Sequence, residues 1–200
     1  MFDWKEILDF WFGELDQDGL PDSEHRNKWF RSDRKFDQEI RRRFLSMVLF
    51  ASEQGVDHWR DEAGGMLAEI IILDQFSRNI FRGTAMAFDQ DRQARKLCRQ
   101  AMQKGQDMLL PPVHRAFLYM PLQHSELMAD QDMSVECYEQ VARSTQGLVS
   151  DFMGSFLQSA RDHQAIIQTY GRFPHRNKVL GRTSSPEEKD YLEGGRRFGQ

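Results

Sequence analysis

The sequence predicts an all-α protein. Apolar residues recur at helical spacing almost from end to end, and glycines and prolines stand where helices would stop and start. No run alternates apolar and polar residues long enough to make a sheet strand.

Trp4, Ile7, Leu8, Trp11 and Phe12 fall at i, i+3, i+4, i+7 and i+8, one apolar stripe, with Asp3 and Glu6 as a capping pair. Phe36, Ile40, Phe44, Met47, Val48 and Ala51 repeat the pattern on a longer helix that ends at Gly55. Residues 66–81 are apolar on more than one side, which predicts a central, buried helix. Further helices are predicted at about 89–104, closed by Gly105, and 112–129, opened by Pro111 and Pro112. The next two fall at about 132–146, closed by Gly147, and 149–170, closed by Gly171. Ser185-Pro186-Glu187-Glu188 then starts a last short helix: a cap, a proline in the first turn, then acids. From residue 89 onward the rhythm is helix, short connection, helix. That predicts antiparallel helical hairpins resembling a tetratricopeptide-like α-α superhelix. No internal repeat and no linker divides the chain, so residues 1–200 are expected to form one domain. An ordered C-terminal loop and short helix are expected at about 171–193.

Hydrophobic residues are 40 % of the 200-residue chain, enough for a sizeable core, and the net charge is −4. An acidic balance speaks against general binding to nucleic acid or to anionic membranes, so any basic site is local. No stretch approaches eighteen uncharged apolar residues, and the charged N-terminus is unlike a signal peptide. Cys98 and Cys137, with no metal-ligand spacing, read as reduced core thiols, and the cytoplasm is the expected compartment.

Polar residues on the wrong face are the candidates for function. His124 lies inside the apolar stripe of the 112–129 helix, and His163 interrupts that of 149–170. A lone histidine on such a face is usually a core histidine with one satisfied hydrogen bond, and two of them followed by His175 raise the functional reading modestly. Pro121, one turn before His124-Ser125-Glu126, is expected to kink its helix and either aim that trio at a cleft or bend the helix around the core. In LDQFSRNIFRG (73–83), Asp74, Arg78 and Arg82 are spaced by four, with Gln75 and Asn79 beside them. GRFPHRNKVLGR (171–182) carries Arg172, His175, Arg176, Asn177, Lys178 and Arg182, and its nearest acids are Asp162 and Glu187. Those cations must find partners elsewhere in the fold, face water, or hold an anion.

These stretches carry a resemblance. The chain resembles the bacterial domain-of-unknown-function family number 924, almost from end to end. It does so through Asp9-Phe10-Trp11-Phe12, Leu73-Asp74-Gln75-Phe76 with Arg78-Asn79, and Pro121-Leu122 with His124-Ser125-Glu126. The remaining match is Gly171-Arg172-Phe173-Pro174-His175-Arg176-Asn177 with Leu180-Gly181-Arg182. Ser77 stands where members of that family commonly carry proline. The resemblance implies an all-helical, tetratricopeptide-like fold and implies no reaction.

Arginine forks and backbone N–H groups near glycine turns suit a small carboxylate, a phosphorylated metabolite or an acidic peptide. The expected ligand-binding set is therefore Asp74, Arg78, Asn79, Arg82, Arg172, His175, Arg176, Asn177 and Arg182. The phosphate-loop motifs GxxxxGK[ST] and GxGxxG are absent. Two alternatives stand beside this reading. In one, His124 and Glu126, with His163, form a general-base site in which arginines stabilise an anionic substrate. In the other, the arginines join Asp74, Asp89, Asp91 and Glu126 in an internal ion-pair network that pins the C-terminal loop, and the protein is an interaction module. No cofactor is expected. A metal held by His124, Glu126, His163 and His175 is disfavoured, because residues two apart on a helix point about 200° apart.

Overall fold

Three aspartates start the first three helices. Asp3, Asp22 and Asp33 each accept a backbone N–H at the head of α1 (Trp4–Phe12), α2 (Ser23–Trp29) and α3 (Arg34–Ser52). Helix α2 is too short to show an apolar stripe, and the periodicity did not predict it. The computed structural model describes residues 2–194. Within them every regular element is helical, and the isolated Leu15–Pro21 bridge is the one β-type contact recorded. The fold is all-α, as expected.

The central apolar segment forms as α4 (Ala63–Ile71), a π-helical turn (Ile72–Phe76) and α5 (Ser77–Ile80), all buried from Gly65 to Ile80. The π turn was not visible in the periodicity. It is closed by the Ser77 N–H, which donates to the Ile72 carbonyl five residues back. Helices α6 (Asp91–Gln103), α7 (Pro112–Gln123), α8 (Met128–Arg143) and α9 (Gly147–Tyr170) follow, each packed on the next. Helix α10 (Pro186–Gly194) closes the described chain.

One boundary differs from expectation for a clear reason. The helix expected over 112–129 stops at Gln123, and the one expected from 132 begins at Met128. Gln131 Nε2 donates to the carbonyls of Gln123 and Ser125 at 2.7 and 2.6 Å, so neither carbonyl is left for the next helical turn. Leu127 N–H turns to Ser125 Oγ instead, at 3.2 Å. Pro121 falls in the last turn of a helix that runs through it, and His124-Ser125-Glu126 form the connection.

The core is one buried cluster running from Ile7 to Ala160. Trp11, Phe12, Trp29, Phe76 and Phe117 interlock at ring separations of 4.6–6.4 Å, and Trp29 Nε1 donates to the Trp11 carbonyl at 2.8 Å. Ile166, Ile167 and Phe173 make a second, smaller cluster that seats the C-terminal loop on α9. Gly171 ends α9 at φ 69°, a left-handed cap that lets the loop double back. No helix among the described residues is long and apolar enough to cross a membrane.

Candidate functional site

Three separate stretches converge on one polar centre. The π turn supplies Asp74 and α5 supplies Arg78. The α7–α8 connection supplies His124 and Glu126, and the C-terminal loop supplies Phe173, Arg176 and Arg182. Asp74 is 1 % exposed, and both of its carboxylate oxygens lie 2.9 Å from His124 Nδ1. Gln75 Nε2 donates to it at 2.6 Å, and Arg78 pairs with it at 2.8 Å. The sequence suggested Glu126 as the carboxylate beside His124. The structure gives that role to Asp74, because residues two apart on the 124–126 connection diverge and Glu126 turns to the C-terminal loop.

Each arginine of the two predicted stretches has a carboxylate of its own or shares one. Arg182 holds Glu126 through two bonds of 2.9 Å, and the Phe173 N–H donates to the same carboxylate. Arg172 holds Glu188 at 2.6 and 2.8 Å. Asn177 Nδ2 also donates to Glu188, which in turn closes a capping box with Ser185 at the head of α10. Arg82 holds Asp37 at 2.7 and 2.9 Å, and Asn79 donates to that same carboxylate on α3. Asp74, Arg78 and Arg82 were expected on one helical face. Helix α5 ends at Ile80, so Arg82 leaves that face.

What remains at the centre is Asp74, His124, Arg78, Asp91 and Arg176. Arg78 lies 2.9 Å from Asp91, at ion-pair distance without hydrogen-bond alignment, and Arg176 reaches Asp91 at 3.4 Å. The Arg176 guanidinium is stacked between Phe88 and Phe173, 4.6 and 4.5 Å from their ring centres. Its Nε is buried with no hydrogen-bond partner among the described residues. A ladder of rings runs from His124 to His163 (6.3 Å), on to Phe173 (5.5 Å) and to His175 (5.5 Å). His163 Nδ1 donates to the Ser159 carbonyl at 2.7 Å, a bond within its own helix. Among the described residues no ion pair joins Asp89 to these groups.

The electrostatics follow from burial and neighbours. Burial alone would raise the Asp74 carboxyl, but Arg78, His124 and Gln75 outweigh it and hold it well below the usual carboxylate range. Burial and then Arg78 push His124 down, against the pull of Asp74. Burial drives His163 to about 3 and His175 to about 4, each reinforced by neighbouring positive or titratable groups. Arg176 falls to about 10 through burial and the adjacent Arg78. An ionised Asp74 can only accept hydrogen bonds, so His124 Nδ1 carries the proton and Nε2 keeps its lone pair. The His124 side chain remains 16 % accessible. No cluster of three His, Cys, Asp or Glu side chains among the described residues is arranged to hold a metal.

Two groups at the centre were not singled out from sequence: Phe88 and Gln75 as active participants. Phe88 gave no signal, since nothing local marks an aromatic that stacks on an arginine 88 positions later. Gln75 was legible only as a neighbour of Asp74.

A structure of a protein of unknown function from Agrobacterium tumefaciens is similar to this chain at 34 % identity and a TM-score of 0.81, covering 96 % of this chain and 97 % of that one. None of the curated proteins compared matches. A family model described as a bacterial protein of unknown function, DUF924, matches residues 7–196. Nearly the whole sequence lies within that match, and the chain belongs to the bacterial family of unknown function DUF924.

Proposed function

We propose that the polar centre is a proton-transfer site acting on a small anionic substrate, with His124 as general base. The observation that carries this reading is the Asp74–His124 pair. A buried, ionised carboxylate fixes the Nδ1–H tautomer at 2.9 Å and leaves Nε2 to take a proton. Asp74 then stabilises the imidazolium that results. Burial, and then Arg78, favour the neutral form of His124, the form competent as a base. Arg176 is the anchor for the substrate's negative charge, its guanidinium held in place against the Phe88 and Phe173 rings. Arg172, Arg182 and Arg82 act as fasteners, each closed on its own carboxylate. His163 and His175 line the centre as neutral rings.

The helical array, with α7, α8 and α9 stacked through short connections, is the tetratricopeptide-like scaffold we assign to this site. The cytoplasm is its assigned compartment. Cys98 and Cys137 are free and buried, and burial pushes Cys137 to about 12, which suits inert thiols under reducing conditions.

Nitrogen NMR of labelled histidines tests the reading directly. His124 should be neutral at pH 7, protonated on Nδ1 and bare on Nε2. A panel of small carboxylates and phosphate monoesters, run in heavy water, should include one that shifts Nε2 and gains deuterium. Arg176→Lys should weaken that binding. A proton found on Nε2, or a panel that moves neither His124 nor the melting temperature, would sink the assignment.

A further inference from the structure

A second concentration of positive charge lies outside the centre, along α6. A groove of about 860 Å³ runs between α6, the start of α8 and the turn after α3. Arg92, Arg95, Lys96, Arg99, Gln100 and Gln103 fall at i, i+3, i+4, i+7, i+8 and i+11, one continuous stripe facing the groove. Ala94, Leu97, Cys98 and Ala101 on the other side of α6 enter the core, so the stripe is fixed in place. Five cationic side chains line the groove against two carboxylates, Asp89 and Asp130. Arg60 is closed on the buried Glu69, and Arg95 and Arg99 share the single Asp130. Arg92 and Lys96 are exposed, and among the described residues no carboxylate pairs with either. Two positive charges are left over in a chain whose net charge is −4.

We propose that this groove binds a short, extended acidic peptide. Three features choose that occupant. Five glutamines line the groove, and their amides both donate and accept, as a peptide backbone requires. No aromatic ring lines it, so it offers no platform on which nucleic-acid bases stack. Eleven helical steps from Arg92 to Gln103 span roughly 16 Å, the length of about five extended residues. Aspartate and glutamate side chains along such a segment meet Arg92 and Lys96, then Arg95 and Arg99, one turn apart. The assignment does not rest on the proton-transfer reading: the Arg92 and Lys96 side chains form no ion pair with Asp74, Asp91 or Glu126 among the described residues.

Fluorescence anisotropy with a dye-labelled peptide of six alternating aspartates and glutamates tests the groove. The peptide should bind the full chain at low salt and loosen as salt rises. The double variant Arg92→Glu, Lys96→Glu should lose about tenfold in affinity while melting as the wild type does. The control is Arg34→Glu, Lys35→Glu, the same charge change on exposed residues at the head of α3, which should bind nearly as the wild type does. Binding should survive His124→Gln, which separates this site from the proton-transfer centre. No binding, or equal losses in both double variants, would overturn the proposal. So would a labelled oligoribonucleotide of the same charge that binds as tightly and is lost in the same groove variant.

Discussion

Lowering the pH from 7 to 5 should remove a large part of this protein's stability, through three histidines. His114 is held to about 4, His163 to about 3 and His175 to about 4, with burial the leading cause in each. His163 also faces His124, Arg176 and His175, and His175 faces Arg176, His124 and Arg78, with Glu126 pulling the other way. In the unfolded chain each titrates near 6.5. Between those values the unfolded state binds protons that the folded state refuses, so stability falls as pH falls. One such histidine costs roughly 2 kcal/mol at pH 5 relative to pH 7, and three cost about 5–6 kcal/mol. Total stabilities are about 5–15 kcal/mol, so the change is decisive. The paired carboxylates cannot compensate. Asp74, Glu126 and Glu188 are all held below their usual range, so each contributes fully at pH 5 and is lost only at lower pH. Urea unfolding at pH 7, 6 and 5 is the assay, and His163→Gln should remove about a third of the slope. A folding free energy that changes by less than about 1 kcal/mol over this window would refute the argument from buried neutral rings.

Asp74→Asn leaves Arg78 with Asp91 alone and should cost about 3–5 kcal/mol, because one partner of a buried ion pair is lost. Calorimetry should show a melting temperature lower by about 6–20 °C, with a deficit nearly constant from pH 8 to 5, since Asp74 stays ionised throughout. Gln131→Leu should cost about 2–4 kcal/mol by leaving the Gln123 and Ser125 carbonyls without a donor. It should also shift the His124 ring resonances, because it frees the connection that carries that side chain.

How much of this was legible depends on the range of the interaction. Helix starts are local: Asp3 over Lys5, Ser185 over Glu188 and Gly171 after Tyr170 are written within a few residues, and the structure shows them as capping bonds and a left-handed turn. Core stripes are nearly local, so Trp11, Phe44 and Phe117 were readable as interior residues. The α7–α8 boundary was not, because the glutamine that stops α7 sits eight residues beyond the carbonyl it captures. The π turn at Ile72–Phe76 was hidden in the same way. The whole segment is buried, so one extra residue puts no solvated polar stripe out of phase.

Charge was the least legible feature, and the reason is physical. An arginine-rich stretch without local acids looks like free positive charge, yet its partners lie far along the chain. Arg82 is 45 residues from Asp37, Arg182 is 56 from Glu126, and Arg176 is 85 from Asp91. Local counting therefore overstates the charge of GRFPHRNKVLGR, where each buried guanidinium must meet a carboxylate or carry a heavy desolvation cost. In α6 the opposite holds, because Arg92 and Lys96 stand on a solvated face and need no partner to be stable. Charge that folding neutralises fastens the C-terminal loop; charge that folding leaves exposed is available to a partner. On that argument the acidic-peptide binding we propose is placed on α6 and not on the C-terminal loop. The polar centre keeps a balanced set of charges around one histidine, which is the arrangement the proposed proton transfer requires.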